Sequence, residues 1–135
     1  MEVAQEAIDT WRNMRKNNGD HRYIILKIAE DNEKLVTVDV AGEKNGTWDD
    51  FKAAMPKDLP RFAVFDLQYK TNDGRQESKL CFFMYCPDNC TNGKIKFAYS
   101  NNKAVVRSKI DPINKEFQVN DHDDLKENDF IEEFK

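Results

Sequence analysis

The chain has 135 residues, 39% of them hydrophobic and 11% aromatic, which is enough for one folded domain and argues against intrinsic disorder. Its net charge of -4, from 21 basic and 25 acidic residues, argues against a general electrostatic grip on nucleic acid. With no apolar run of the ~20 residues that cross a bilayer, no secretory leader and only three cysteines, we expect a cytoplasmic protein that neither spans a membrane nor is secreted.

The first half of the chain predicts a helix, a strand hairpin and a second helix. Apolar residues recur at helical spacing over residues 3–16, and the tract 17–20 is expected to end this helix. Residues 22–28 and 34–40 are β-branched or alternate in polarity, which is typical of two strands joined by a turn. Thr47 then has the position of an N-cap for a short helix that runs to Met55.

The second half begins with the two strongest strand patterns, residues 61–69 and 78–86, joined by an Asp73-Gly74 turn. A long helix from residue 93 to about 110, a strand near 116–119 and an acidic helix over 123–134 follow. This order predicts an α/β fold of the α+β type in one domain, residues 1–135. A central mixed sheet of five to six strands is expected between helices on both faces.

The long helix has an unusual charge pattern. Residues 89–110 contain no acidic residue and five basic ones, although the chain as a whole is acidic. On a helical wheel, Lys96, Lys103 and Arg107 fall within about 40° of one another, beside Phe97 and Ala104 and away from the expected core face. A cation row next to an exposed aromatic suits an acidic groove on a protein partner, whereas the alternative interpretation is an ordinary solvated helix face.

The same helix resembles the long actin-binding helix of the ADF/cofilin family. Residues 94–110 read KIKFAYSNNKAVVRSKI, where the family helix reads K-x-K-M-x-Y-A-S-S-K-D-A-(I/L)-(K/R), so that Phe97 takes the Met position. RFAVFD at residues 61–66 and SKLCFFMYCPD at 78–88 are similar to two further family motifs. The resemblance extends over nearly the whole chain.

This resemblance implies an actin-depolymerising-factor homology domain that acts as a monomer, with no catalytic site and no cofactor. It implies binding to monomeric and filamentous actin, and promotion of filament depolymerisation and severing in the actin cytoskeleton. The implied actin-monomer site consists of Met1, Glu2, Val3, Lys94, Lys96, Phe97, Lys103 and Arg107. The implied filament site consists of Arg75, Lys79, Glu132 and Lys135.

The chain also departs from the family pattern. The family's N-terminal segment usually carries a Ser whose phosphorylation blocks actin binding, whereas the first Ser here is Ser78. Acidic residues, Glu132 and Glu133, stand where the family's last helix often has basic ones. We therefore expect filament binding and severing to be weaker than monomer binding.

Other interpretations remain open at this point. The same fold would suit a glia maturation factor-like regulator of the Arp2/3 complex, and the basic helix face would suit phosphoinositide headgroups in competition with actin. Cys86 and Cys90 lack further zinc ligands nearby, and residues 121–124 (DHDD) are interpreted as a helix N-terminal turn rather than a metal or acid–base cluster. No phosphate-binding glycine loop or nucleophile motif is present, which argues against an enzyme.

Overall fold

In the computed structural model, which describes residues 1–16 and 19–135, helices cover both faces of a six-stranded sheet. The elements in chain order are β1 (Glu2–Val3), α1 (Gln5–Met14), β2 (Tyr23–Ala29), β3 (Asn32–Ala41), α2 (Trp48–Ala54), β4 (Arg61–Lys70), β5 (Gln76–Tyr85), α3 (Gly93–Lys109), β6 (Lys115–Val119), a 3-10 turn (His122–Asp124) and α4 (Glu127–Glu132). Apart from β1 and the last helix, the bounds agree with the sequence predictions to within a few residues.

The sheet is mixed, as predicted, and its strand order is β1-β3-β2-β4-β5-β6. The two edge strands, β1 and β6, run parallel to their neighbours β3 and β5, while the internal pairs are antiparallel. The central hairpin of β4 and β5 stays in register from Arg61 opposite Tyr85 to Lys70 opposite Gln76. Its turn contains Gly74, whose φ of 86° is a conformation that favours glycine.

Two apolar cores lie on opposite faces of the sheet, because successive strand side chains point to opposite sides. In β5, Cys81, Phe83 and Tyr85 face the core that α2 and α4 cover. Phe82 and Met84 face the core that α1 and α3 cover. The prediction of helices on both faces of the sheet is therefore confirmed, with α2 and α4 on one face and α1 and α3 on the other.

Trp48 lies at the centre of the first core, between the sheet and helices α2 and α4. Its ring centroid is 4.9 Å from that of Phe65, 5.9 Å from Phe83 and 5.6 Å from Phe130. Its indole N–H donates a hydrogen bond of 3.0 Å to the carbonyl of Leu125. This single side chain therefore joins the start of α2 to the segment that leads into α4.

The prediction of one continuous helix over residues 123–134 is wrong. Asp121 caps only a 3-10 turn, accepting a hydrogen bond of 2.9 Å from the N–H of Asp123. The next residue after the turn, Leu125, is 1% exposed, and its carbonyl accepts the Trp48 hydrogen bond instead of a helical one. The chain therefore leaves the helical path at Leu125, and α4 begins only at Glu127.

The N-terminal segment forms a short strand that the sequence did not predict. The predicted helix over residues 3–16 begins only at Gln5, because Glu2 and Val3 pair with Leu35 and Val36 of β3. The N–H of Ala4 then donates to the carbonyl of Val36 at 2.8 Å. The tract 17–20, expected to end this helix, lies partly outside the described residues.

Candidate functional site

Helix α3 is fixed to the sheet by its buried side and by a polar contact. Tyr99 is buried, and its hydroxyl accepts a hydrogen bond of 2.9 Å from the N–H of Ile28 and one of 3.4 Å from Arg61. Arg61 in turn donates to Asp39 at 3.0 Å, which ties α3 to strands β2, β3 and β4. Burial raises the pKa of Tyr99, so this hydroxyl stays neutral at physiological pH.

The N-terminus of α3 is capped by Asn92. Its side-chain oxygen accepts hydrogen bonds of 3.1 Å and 3.2 Å from the N–H groups of Lys94 and Ile95. The cap sets where the helix starts, whereas the buried side chains of Tyr99 and Val106 set which side of the helix faces outward.

The outward line of α3, which we call the crest, carries one large apolar side chain. Phe97 is 68% exposed, and helical spacing places Asn101, Ala104 and Ser108, all exposed, on the same line. The prediction that Phe97 and Ala104 face away from the core is confirmed. A phenyl ring exposed to this extent adds little to folding and lies beside the cations of α3, so it is a candidate aromatic contact for a partner.

The cation row of Lys96, Lys103 and Arg107 follows one flank of α3 and is half-buried rather than standing on the crest with Phe97. No acidic residue of α3 relieves the repulsion within the row, but Glu116 of β6 does. One oxygen of its carboxylate accepts from Arg107 Nε at 2.8 Å, and the other pairs with Lys103 Nζ. The sequence predicted the row but not this counter-charge.

Glu116 is ionised in this arrangement, and Arg107 is held from several sides. The hydrogen bond from Lys103, together with that from Arg107, lowers the pKa of Glu116 against the opposing effect of burial. Arg107 also donates to the carbonyl of Ile110 at 2.7 Å, and its guanidinium lies 5.5 Å from the centroid of the Phe82 ring. Arg107 is therefore part of the structure that ends α3.

Two lysines near the start of α3, Lys94 and Lys96, differ from Lys103 and Arg107 because no acidic side chain pairs with them among the described residues. Lys94 is exposed and Lys96 is half-buried, and within residues 1–16 and 19–135 neither forms an ion pair. Their ammonium groups are thus available to acidic groups of a partner. They stand on either side of the crest position of Phe97.

The N-terminal segment lies on the same core as α3. Met1 and Val3 are half-buried and pack against the cluster that contains Tyr99 and Val106 of α3, whereas Glu2 is exposed. Pairing of β1 with β3 holds these residues in place. The structure therefore brings Met1, Glu2 and Val3 into the neighbourhood of α3, as the predicted monomer site requires.

A groove of about 340 Å³ runs beside α3, between its first turns and the turn that joins β2 to β3. Its apolar lining comes from Ile28, Leu59, Ile95 and Ala98. The groove could not be predicted from the sequence, because three separate segments supply this lining and no single segment has a distinctive pattern.

The predicted filament residues lie around the turn of the β4–β5 hairpin. This region is separate from α3 and from the N-terminal segment, where the residues of the predicted monomer site lie. Arg75 is in this turn and pairs with Asp73 at 3.1 Å and Glu77 at 3.4 Å. Strand alternation puts Lys79 on the same face as Cys81, which is the face that α4 covers.

The end of α4 reaches the same hairpin. Phe134 stacks on Tyr69 of β4, with ring centroids 6.1 Å apart. Glu132 and Lys135 flank this aromatic contact and pair with each other at 3.9 Å. Arg75, Lys79, Glu132 and Lys135 thus belong to one region, on the face of the sheet opposite α3.

The remaining candidate groups have structural contacts. Cys86 and Cys90 are both buried, and burial raises the pKa of the Cys86 thiol. His122 Nε2 lies 2.8 Å from the carbonyl oxygen of Lys52, so this ring ties the 3-10 turn to α2. Among residues 1–16 and 19–135 no group of His, Cys, Asp and Glu side chains is placed to hold a metal ion, and no helix there is long and apolar enough to cross a membrane.

The chain is similar to known proteins along its whole length. All of the chain, residues 1–135, matches the family described as cofilin/tropomyosin-type actin-binding protein. Actophorin from Entamoeba histolytica is 30% identical over 135 residues, covering 100% of this chain and 95% of that protein. Actin-depolymerizing factor 6 from Arabidopsis thaliana is 34% identical over 122 residues, covering 90% and 81%. The crystal structure of Streptomyces griseoflavus cofilin is 24% identical and superposes with a TM-score of 0.87, covering 98% of this chain and 95% of that one.

Proposed function

Since the chain belongs to the ADF/cofilin family of actin-binding proteins, we propose that it binds actin monomers and filaments and promotes filament depolymerisation. The names of its relatives, actophorin and actin-depolymerizing factor, support this role. We further propose that it acts at the actin cytoskeleton and through binding alone, without catalysing a reaction. The observation that carries the monomer-binding part is the exposed ring of Phe97 on the crest of α3.

The proposed monomer site combines an apolar anchor with nearby cations. Burial of Phe97 in a cleft of actin would contribute about 2 kcal/mol or more, since it removes a large apolar surface from water. Lys94 and Lys96 on either side, with Lys103 along the flank of α3, would steer the helix toward acidic groups of the partner. Met1, Glu2 and Val3 would extend the contact, because β1 holds them near α3.

The proposed filament site is separate, and acidic residues lie beside its cations. It lies across the sheet from α3, so a filament subunit bound there would leave the crest of α3 accessible. Two of its three cations are already paired within the chain, Arg75 with Asp73 and Glu77, and Lys135 with Glu132. We therefore propose weak filament binding and weak severing relative to monomer binding.

The first test compares the unaltered chain with the double variant Lys96→Ala, Lys103→Ala. We expect the variant to bind actin monomers about 2 kcal/mol more weakly, roughly thirtyfold, with the same thermal melt. Fluorescence titration of labelled monomers measures the affinity. Lys16→Ala with Lys44→Ala is the matched control, since it removes two exposed cations that line a cleft away from α3.

Equal affinities of the α3 variant and the unaltered chain would refute this placement of the site. Absence of any binding to monomers and filaments would refute the proposed function. If binding to the Arp2/3 complex were then found, the glia maturation factor-like interpretation would replace it.

Severing is tested separately by time-lapse fluorescence microscopy of single actin filaments. We expect shortening from filament ends and few internal breaks, because the α4 region offers little net positive charge. Frequent internal breaks at low protein concentration would contradict the proposal of weak severing. Pelleting of filaments with the protein provides the matching measure of filament affinity.

A further inference from the structure

Glu116 holds two of the α3 cations from an edge strand of the sheet. Strand β6 is the last in the sheet order, and the side chain of Glu116 is 35% exposed. Each of its carboxylate oxygens takes one cation, Arg107 on Oε1 and Lys103 on Oε2. The carboxylate therefore neutralises charge on the flank of the proposed monomer site.

The two cations are held to different degrees. Arg107 is 24% exposed and has further contacts with the Ile110 carbonyl and the Phe82 ring. Lys103 is 34% exposed, and within the part of the chain that the structure describes its ammonium pairs only with Glu116. Lys103 can therefore leave this carboxylate without breaking another ion pair or hydrogen bond among the described residues, whereas Arg107 is also held by the Ile110 carbonyl.

We infer that Glu116 competes with carboxylates of actin for Lys103 and thereby limits the affinity of the monomer site. This inference rests on the proposed function. In the bound state an acidic group of actin takes Lys103, while Glu116 remains neutralised by Arg107. In this arrangement Arg107 stays paired with Glu116 in both states, whereas Lys103 changes its partner from Glu116 to actin. Glu116 is a positioning residue, because it affects binding only by holding Lys103.

A double-mutant cycle on monomer affinity at low salt tests this competition. We expect Glu116→Gln to tighten binding about threefold, which is the range of an exposed ion pair, and to have no effect when Lys103→Ala is also present. Affinity of the Glu116→Gln variant is also expected to fall more steeply as salt rises, because one more cation is offered to the partner. The conservative variant Glu116→Asp restores the unaltered affinity.

The matched control is Glu43→Gln, which makes the same change in net charge at an exposed site with no ion pair among the described residues. It is expected to leave affinity unchanged, and thermal melts check that every variant is folded. Unchanged or weaker binding by Glu116→Gln overturns the inference, as does a gain that persists without Lys103 or that Glu43→Gln reproduces. If the unaltered chain bound no actin monomers, the proposed function would fail first and the inference with it.

Discussion

Replacing Phe97 with alanine is expected to weaken binding of actin monomers by about 3 kcal/mol, which is more than a hundredfold. Buried aromatic anchors at the centre of an interface commonly account for losses of this size. In the free chain the same ring is 68% exposed, so its removal leaves both cores intact. The thermal melt should therefore stay within about 2 °C of the unaltered chain, since surface changes of this kind cost little stability.

The matched variant is Phe97→Met, which keeps a large flexible apolar group at the position where the family helix has Met. Phe97→Met is expected to retain most of the affinity. If Phe97→Ala loses affinity and Phe97→Met does not, the loss is due to the missing apolar contact and not to substitution at this position as such. Isothermal titration calorimetry with monomeric actin measures both. If Phe97→Ala weakened monomer binding by less than tenfold, Phe97 would not be the main apolar contact, and the proposal that the crest of α3 anchors the interface would be wrong.

Most of the elements could be predicted from local sequence patterns. The start of α2 is an example, because Thr47 and Asp50 cap it reciprocally with hydrogen bonds of 3.1 Å. The exposed position of Phe97 also follows from the spacing of Tyr99 and Val106, whose burial fixes the rotation of α3. These features depend on residues within a few turns of one another, and such short-range patterns are visible in a sequence.

The features that could not be predicted all depend on contacts between distant segments. Glu116 meets Lys103 and Arg107 only because β6 runs parallel beside β5 after α3 has ended. Strand β1 has two residues, too few to show a periodic pattern, and it exists because β3 offers it a free edge. Local patterns on α3 therefore predict which cations are present, but not which of them are already neutralised.

The division of the predicted last helix into a 3-10 turn and α4 also depends on a contact between distant segments. Leu125 is drawn inward by a hydrogen bond from Trp48, a residue 77 positions earlier. Replacing Trp48 with alanine is expected to lower the free energy of unfolding by about 4 kcal/mol, because it leaves a large cavity and an unpaired carbonyl. Urea unfolding followed by circular dichroism measures this loss. Trp48→Phe keeps a ring but removes the donor, and should cost about 1–2 kcal/mol.

The same variant tests whether the two faces of the sheet work independently. Trp48 contacts α4 through Phe130 on one face, while Phe97 stands on a helix packed against the other. At low temperature, where the folded state still predominates, Trp48→Ala should therefore lose filament pelleting and keep its monomer affinity within about twofold, since distant sites are usually independent. A matching loss of monomer affinity would mean that the α4 side supports both surfaces, and that the monomer site is not confined to α3 and the N-terminal segment.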